Sequence, residues 1–333
     1  MTGSPFTAPR TWPWPPALRW PSWWRYSSGC AMTSPASCLP INWNMQARKW
    51  ATLFCTCCCC AANWGWTWKP WCAASWRTAS GDLLVSDRHF DQLATRFAEK
   101  IYGGAKGAIR LAVLQADLTE TLPKRPLRVL DIGAGLGHMA LWLAEQGHEV
   151  TLAEPAEPML EGARQRFTDA GQTATFIQAP WQALPEFLSD TYDLVLCHAV
   201  LEWLAEPHTI LPVLRQLTEA DGWLSLAFYN RDALIYRNLL KGHFRKMRKN
   251  DMAGEKQSLT PQQPLDPREL ETQLEGLWQV QTRSGVRVFH DYMPVEFQAR
   301  ADLTDLLEME LAHRRHPAFA GLGRYLHWMC RPV

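Results

Sequence analysis

The first 80 residues contain no aspartate, glutamate or histidine, although they hold twelve of the eighteen tryptophans and eight of the ten cysteines of the chain. A folded surface normally mixes charges of both signs, so a segment with seven basic and no acidic residues argues against an ordinary folded domain. No hydrophobic period of 3.6 or 2 is sustained there either. Clusters such as Trp12–Pro16 and Cys57–Cys60 are typical of low-complexity sequence.

Two functional interpretations of this segment fit poorly. The apolar run Ala51–Ala62 has the length of a secretory signal core, but it lies far from Met1 and no disulfide-rich domain follows it. Cys55 and Cys57–Cys60 could supply thiolates to a metal ion, but adjacent cysteines do not easily converge on one tetrahedral ion.

We favour a third interpretation, in which upstream nucleotides are translated from a start codon assigned too early. The true start would then lie near Leu83–Val85. On this interpretation residues 1–84 are a non-homologous extension, disordered or not translated, and residues 85–333 form the functional domain.

Residues 81–333 lack cysteine clusters and long apolar runs. Their only cysteines, Cys197 and Cys330, are far apart, which fits a reducing cytosol. No apolar stretch approaches the roughly 18 residues of a membrane helix. With thirty-three acidic and twenty-seven basic residues, this part carries a formal charge of −6. We therefore expect a cytoplasmic protein with one α/β core and with no membrane, metal or protein partner.

The body of the chain alternates short apolar strands with helices. A first helix is expected from Asp87 to Ile101 and a second from Ala108 to about Thr121. The alternating part has expected strands at 127–131, 149–153, 174–178, 192–197 and 223–229, and expected helices at 137–146, 156–170 and 207–219. After a polar, basic stretch at 231–265 come a helix near 267–276, strands near 278–290 and 322–330, and a helix near 295–313. This order predicts an α/β fold with a doubly wound, seven-stranded, mostly parallel sheet and an antiparallel edge.

A glycine-rich loop follows the first strand, in Asp131-Ile-Gly133-Ala134-Gly135-Leu-Gly137. Glycines let the backbone turn sharply and approach a ligand closely. The dinucleotide fingerprint is G-x-G-x-x-G, whereas here G-x-G-x-G follows an acid, which resembles the loop of class I S-adenosylmethionine-dependent methyltransferases. Glu154, at the end of the second strand, is expected to accept both ribose hydroxyls. The sequence thus predicts S-adenosylmethionine as the cofactor.

Further blocks of the body resemble the bacterial tRNA 5-carboxymethoxyuridine methyltransferase family. The matching blocks are Phe97–Gly103, Lys106–Arg110, His198–Trp203, Leu226–Asn230, Ser284–Tyr292 and Leu322–His327. The resemblance implies a Rossmann-like fold and methylation of the carboxylate of a modified uridine at tRNA position 34. Glu154 departs from the family pattern, in which Asp is common, and the basic insert has fewer lysines than expected.

The resemblance also implies several cofactor contacts. Arg110 is expected to bind the methionine carboxylate through its guanidinium fork. Trp181 and Gln182 fall where the family contacts adenine, and the indole offers a stacking face. His198 ends the fourth strand at the cofactor rim of the sheet, where we expect a cofactor contact rather than a general base.

A carboxylate acceptor is already anionic at neutral pH and requires no general base. It does require a fixed cation or hydrogen-bond donor to bring it out of water. Arg287, His290 and Tyr292 are the candidates, although alternation along the expected strand puts Arg287 on the opposite face from the other two. Tyr229 and Asn230, after the fifth strand, are further candidates.

The most concentrated basic run suits contacts to an RNA backbone. It comprises Lys241, Arg245, Lys246, Arg248 and Lys249, interleaved with Phe244 and Met247. Aromatic stacking of a splayed base in a tRNA anticodon stem-loop is the matching expectation. Because the body is acidic overall, we expect local and salt-sensitive recognition.

Three alternatives remain open at this stage. The enzyme could methylate a small-molecule carboxylate or phenol. It could use carboxy-S-adenosylmethionine as donor, which would need an additional cation in the pocket. It could also be a binding protein that holds the cofactor without transferring a methyl group.

Overall fold

The computed structural model describes residues 103–249, 261 and 263–333. The expectations for residues 1–84 and for the helix from Asp87 to Ile101 lie outside these residues and stay predictions. No helix in the described part of the chain has the length and apolar character needed to cross a membrane.

Seven strands form one sheet. In chain order they are β1 Arg128–Ile132, β2 Glu149–Ala153, β3 Thr175–Ile177, β4 Tyr192–His198, β5 Thr218–Tyr229, β6 Trp278–Val286 and β7 Tyr325–Pro332. The spatial order is β3-β2-β1-β4-β5-β7-β6. Strand β7 is antiparallel to both of its neighbours, and the other four pairs of neighbouring strands are parallel. The predicted seven-stranded, mostly parallel sheet with an antiparallel edge is therefore confirmed.

Ten α-helices are described around this sheet. They are α1 Gly104–Thr121, α2 His138–Glu145, α3 Glu157–Asp169, α4 Leu184–Phe187, α5 Leu211–Gln216, α6 Arg231–Leu240, α7 Phe244–Arg248, α8 Pro267–Leu274, α9 Val295–Gln298 and α10 Leu303–His313. Short 3-10 turns lie at Trp181–Ala183, Leu201–Trp203, Pro207–Ile210, His290–Tyr292 and Ala320–Leu322.

The two faces of the sheet belong to two hydrophobic clusters. Along β1, Leu130 and Ile132 pack in one cluster and Val129 in the other. This alternation follows from the period of two in a strand, and it requires helices on both faces. The helices therefore cover the sheet and leave the carboxyl ends of its parallel strands for a ligand.

Several predicted boundaries are wrong, and local capping explains them. The predicted helix 207–219 ends at Gln216, and β5 begins at Thr218, whose hydroxyl donates to the Leu214 carbonyl. The predicted helix 295–313 is two helices, because the Asp302 side chain accepts from the N–H groups of Thr304 and Asp305 and starts α10 there.

The polar stretch at 231–265 contains two helices that its composition did not indicate. Asn230 caps α6 by accepting from the N–H of Asp232. The same Asn230 donates to the carbonyls of Gly321 and Gly323 at 2.8 and 2.9 Å. It is fully buried, so it holds the turn before β7 and is not available to an acceptor molecule.

The predicted strand 278–290 ends at Val286, because Arg287 has a φ of 62° that no strand accommodates. Beyond it, the N–H groups of Val288, Phe289 and His290 all donate to the carboxylate of Glu310, at 2.8 to 3.3 Å. The chain therefore turns around Glu310, and the strand alternation expected for residues 287–292 does not exist.

Candidate functional site

A cavity opens at the carboxyl ends of β1, β2 and β4. The space in it that protein atoms do not fill, including the part open to solvent, is about 1140 Å³. It is lined mainly by apolar side chains with a few polar groups, as expected for a small-molecule site. The predicted residues that line it are Arg110, Gly133, Gly135, Glu154, Trp181 and His198.

The glycine loop turns in a way that only glycine accommodates well. Gly133 has a φ of +67°, and a Cβ there would lie 2.5 Å from Cγ2 of Val200. Gly137 has a φ of +69°, and a Cβ there would lie 2.9 Å from Cδ2 of Leu152, so this glycine lets α2 start against the sheet. Ala134 is buried, and its N–H donates to the carbonyl of Ala153. The loop thus brings bare backbone to the cavity.

Two acids lie beside this loop. Glu154 accepts from the N–H of Gly135 at 2.9 Å and from the N–H of Ala156 at 3.0 Å. A carboxylate offers acceptor sites for about four hydrogen bonds, so it can hold the loop and ribose hydroxyls together. Burial, together with the charge of Glu154, raises the pKa of Asp131 to about 8. A cationic ligand would find its counter-charge here.

Of the residues expected at the methionine and adenine ends of the cofactor, Arg110 and Trp181 line the cavity and Gln182 does not. Arg110, on α1, lies with its guanidinium carbon 4.1 Å from the centroid of the Tyr325 ring. Trp181 begins a 3-10 turn, and within the described ranges its buried Nε1 has no hydrogen-bond partner. Gln182 is exposed and is not among the residues around the cavity, so its predicted contact with adenine stays a prediction.

His198 lines the cavity from the end of β4. Its Nε2 lies 2.8 Å from the hydroxyl of Ser225. Burial, together with the nearby charge of Arg110, lowers the pKa of His198 well below its ordinary value. The ring is therefore neutral at physiological pH, which fits a hydrogen-bonding role.

The three residues expected to position an acceptor lie on one turn but do different things. Tyr292 donates its hydroxyl proton to the carbonyl of Leu322 at 2.7 Å. His290 is buried, and its Nδ1 lies 3.5 Å from Asp291. Arg287 approaches the same Asp291, at 3.6 Å between Nη2 and Oδ2. All three side chains thus lie beside groups of the protein itself.

Sequence reasoning missed Arg324, which the structure places beside Arg287. Nε of Arg324 lies 3.7 Å from Oδ2 of Asp291, and its Nη2 donates to the hydroxyl of Tyr229. Among the residues that the structure describes, its buried Nη1 has no hydrogen-bond partner. Arg324 lies within the family-like block Leu322–His327, but nothing in the local sequence pattern distinguishes it from a surface arginine.

The basic run lies on and around α7. Lys241, Arg245, Arg248 and Lys249 are exposed and Lys246 is half-buried. In the described ranges none of these five side chains forms an ion pair. Phe244, Leu239 and Leu240 are also exposed, so charge and apolar surface are mixed on this patch. The patch is therefore a basic surface with an exposed aromatic side chain, and its contact with RNA stays a prediction.

No group of three or more His, Cys, Asp or Glu side chains among the described residues is arranged to hold a metal ion.

Comparison with known proteins adds three findings. A family model described as a methyltransferase domain matches residues 130–226. The tRNA 5-carboxymethoxyuridine methyltransferase of Escherichia coli (strain K12) is 38% identical over 253 residues, which cover 74% of this chain and 97% of that protein. The ubiquinone biosynthesis O-methyltransferase of Vibrio cholerae is 32% identical over 109 residues, or 33% of this chain and 44% of that protein.

A solved structure of magnesium protoporphyrin IX methyltransferase from Synechocystis with bound SAH is 15% identical, with a TM-score of 0.49. That comparison covers 72% of this chain and 95% of the other. Of the two curated relatives, only the E. coli protein is matched over nearly its whole length.

Proposed function

Because the chain belongs to the tRNA 5-carboxymethoxyuridine methyltransferase family, we propose that it methylates the carboxylate of 5-carboxymethoxyuridine at the wobble position of a tRNA anticodon. The chain is an S-adenosylmethionine-dependent methyltransferase. The proposed product is the methyl ester of the modified uridine. The observation that best supports this acceptor is a pair of arginines, Arg324 buried and Arg287 largely so, that share one carboxylate beside the cavity.

The charges of this arginine pair are not balanced by the groups around it. In the described part of the chain, Arg287 and Arg324 have one ion-pair partner between them, Asp291, and both distances exceed 3.5 Å. Although burial alone would raise it, the nearby His290 ring and the two guanidiniums hold the pKa of Asp291 well below its usual range. Two cations therefore face one anion. Buried charge of one sign is costly unless it is paired, so this cluster fits a second carboxylate.

The arginine pair adjoins the cavity through two tyrosines. Tyr325 lines the cavity, and its ring lies 5.6 Å from the guanidinium carbon of Arg287. Tyr229 packs edge-on against Tyr325 at 5.3 Å, and the guanidinium carbon of Arg324 lies 4.7 Å from the Tyr229 ring. A carboxylate held by the arginines would thus lie at the border of the cofactor cavity.

A carboxylate acceptor sets a simple task for these residues. When bound, S-adenosylmethionine supplies a methyl group on a positively charged sulfur. The acceptor is ionised at neutral pH, so no residue has to remove a proton. The arginines replace the water that a bound carboxylate loses and fix its orientation. Orientation of this kind lowers a barrier by about 7–11 kcal/mol in favourable cases.

The basic surface on α7 supports RNA rather than a small acid as the carrier of this carboxylate. The charges of Arg237, first, and of Arg324 lower the pKa of Lys241, at the start of the basic run. Helix α6 also packs on the turn that carries Arg287 and Tyr292, since the ring centroids of Tyr236 and Tyr292 are 5.2 Å apart. A phosphate backbone on α7 would therefore run past the acceptor cluster.

Identification of the methylated nucleoside tests the proposal. The full chain is incubated with labelled S-adenosylmethionine and tRNA from cells that lack this activity, and the digested nucleosides are identified by mass spectrometry. We expect label only on 5-carboxymethoxyuridine, as its methyl ester. A transcript with unmodified uridine has no carboxylate and should stay unlabelled. Labelling of that transcript, or turnover confined to small free acids, would contradict the proposal.

A further inference from the structure

A buried chain of polar side chains runs from the cofactor cavity through the sheet to helix α1. Nε2 of His198 lies 2.8 Å from Oγ of Ser225, and that Oγ lies 2.8 Å from Nε2 of His327. Nδ1 of His327 lies 2.7 Å from Oδ2 of Asp117. Ser225, His327 and Asp117 are fully buried. The proposed reaction above does not use these three residues.

The register of the sheet explains how residues from distant parts of the sequence meet. His198 on β4 pairs with Ala227 on β5, and Ala227 pairs with His327 on β7. Residues that pair across neighbouring strands point to the same face, and so does Ser225, two positions from Ala227. The small side chain of Ala227 leaves room between the two imidazoles, whose centroids are 5.7 Å apart.

The series of hydrogen bonds begins at the carboxylate of Asp117, whose negative charge is already balanced by two arginines. Oδ1 of Asp117 accepts from Nε of Arg314 at 3.0 Å and from Nη2 of Arg315 at 2.6 Å. Both guanidiniums also bind the carboxylate of Glu120. Two cations therefore face two anions, and a further buried charge on His327 would lack a partner. A neutral His327 keeps this group of charges balanced.

The state of Asp117 determines which group donates in each hydrogen bond between Asp117 and His198. Although burial alone would raise it, hydrogen bonds, with that from His327 the strongest, hold the pKa of Asp117 well below its usual range. The ionised carboxylate only accepts, so a neutral His327 carries its proton on Nδ1 and accepts on Nε2. Ser225 must then give its only hydroxyl proton to His327.

The oxygen of Ser225 consequently accepts from His198. The neutral His198 ring therefore holds its single proton on Nε2, which leaves Nδ1 as a hydrogen-bond acceptor. Within the residues that the structure describes, this buried Nδ1 has no hydrogen-bond partner. His198 lines the cavity near the glycine loop, because Val200, two residues beyond it, lies against Gly133.

We propose that Ser225, His327 and Asp117 are positioning residues that fix the tautomer of His198, so that its Nδ1 accepts a hydrogen bond from the α-ammonium group of S-adenosylmethionine. The glycine loop is where the amino-acid end of the cofactor is expected, which makes the ammonium group the donor that Nδ1 meets. The proposal rests on cofactor binding in this cavity and does not depend on the identity of the RNA acceptor.

The substitution Asp117→Asn should reverse the hydrogen bonds without changing the shape of the side chain. Arg314 and Arg315 hold the oxygen of the new amide, so its N–H₂ group faces Nδ1 of His327 and donates to it. His327 then carries its proton on Nε2, Ser225 donates to His198, and His198 becomes an Nδ1–H donor. We expect roughly ten- to a hundredfold weaker binding of S-adenosylmethionine.

Nitrogen NMR of histidine-labelled full chain measures the tautomer directly, with His198→Gln used for assignment. Without cofactor, His198 should show Nε2–H in the original protein and Nδ1–H in Asp117→Asn. Glu120→Gln is the matched control, because it removes a carboxylate from the same two arginines but has no contact with His327. It should change neither the tautomer nor the affinity by more than about twofold.

A double-mutant cycle separates this proposal from a general loss of stability. Ser225→Ala interrupts the chain, so adding Asp117→Asn to it should not weaken cofactor binding further. Additive losses, or an Nδ1–H tautomer of His198 in the original protein, would overturn the proposal. If Asp117→Asn does not fold, Ser225→Ala decides alone. An unchanged single tautomer and unchanged affinity in that variant would also overturn it.

Discussion

On the cofactor side of the cavity, the important residues lie in short consecutive segments, each at the end of a strand. Gly133, Gly135 and Gly137 follow β1, and Glu154 follows β2. On the acceptor side, the cluster combines Tyr229 at the end of β5, Arg287 and Asp291 after β6, and Arg324 before β7. Tyr229 and Arg324 form a hydrogen bond across 95 positions of the chain.

This difference teaches where local sequence is sufficient. The cofactor side needs backbone that turns sharply, and a few glycines at fixed spacing provide this within one loop. The acceptor side needs positive charge that the protein's own carboxylates do not neutralise. How much of it remains depends on which distant groups the fold brings together. Substitutions on the two sides should therefore affect different measured constants.

The largest effect is expected for Gly133→Ala on the cofactor side. A side chain at a φ of +67° costs about 1–3 kcal/mol, and the approach to Val200 adds a comparable cost. Binding of S-adenosylmethionine, measured by calorimetry, should weaken about a hundredfold or more. Gly147→Ala is the control, because Gly147 has a φ of +86° with no atom within 4 Å of the added Cβ. A normal affinity in Gly133→Ala would refute the assigned role of the loop.

A somewhat smaller effect, confined to the acceptor side, is expected for Arg324→Gln. Loss of a charged hydrogen bond to the acceptor should lower kcat/KM for modified tRNA by roughly ten- to a hundredfold. The affinity for S-adenosylmethionine should stay within about threefold, since Arg324 does not line the cavity. Arg283→Gln, which removes an exposed arginine paired with Glu271, serves as the control. Equal losses in both variants would contradict the acceptor assignment.

The pH dependence of cofactor binding sharpens the comparison further. Asp131 has a pKa raised to about 8, so below that pH it is largely protonated in the free protein. A cationic ligand favours the ionised form, so affinity should rise by at most about tenfold per pH unit between pH 6 and 8 and level off above. Calorimetry in two buffers of different ionisation enthalpy should detect proton release. Asp131→Asn should bind S-adenosylmethionine more weakly, and its affinity should no longer depend on pH in this range. An unchanged pH dependence in that variant would mean that another group titrates.

The smallest effects are expected on the basic surface. Arg245→Ala should raise KM for tRNA about two- to threefold at moderate salt and reduce the salt dependence of binding by about one counterion. Cofactor affinity should not change. Arg164→Ala removes a comparably exposed arginine on α3 and should leave tRNA binding unaltered. If both variants lower tRNA affinity equally, the effect of Arg245 reflects the overall charge of the protein and not a specific RNA contact on α7.

Particular elements show how far the sequence could be read in advance. The strands that carry the cofactor residues were predicted to within a residue or two, because each is a short apolar run bounded by a turn. The predicted continuation of β6 to residue 290 was wrong. Nothing in the sequence near Arg287 indicates that the carboxylate of Glu310 accepts hydrogen bonds from three N–H groups there. His290 and Tyr292 were expected on a strand and lie instead on a 3-10 turn, where their side chains contact groups of the protein itself; their role toward the acceptor stays a prediction.

The sequence alone determined the sheet, the glycine loop and the acid of the second strand, because hydrophobic period and backbone geometry act between near neighbours. Only the tertiary structure decided which arginines lack a counter-charge, and which way the proton of His198 points. Ionisation and hydrogen-bond direction depend on the sum of all groups around a buried atom. Here those groups come from α1, α10 and four strands that the folded sheet brings together.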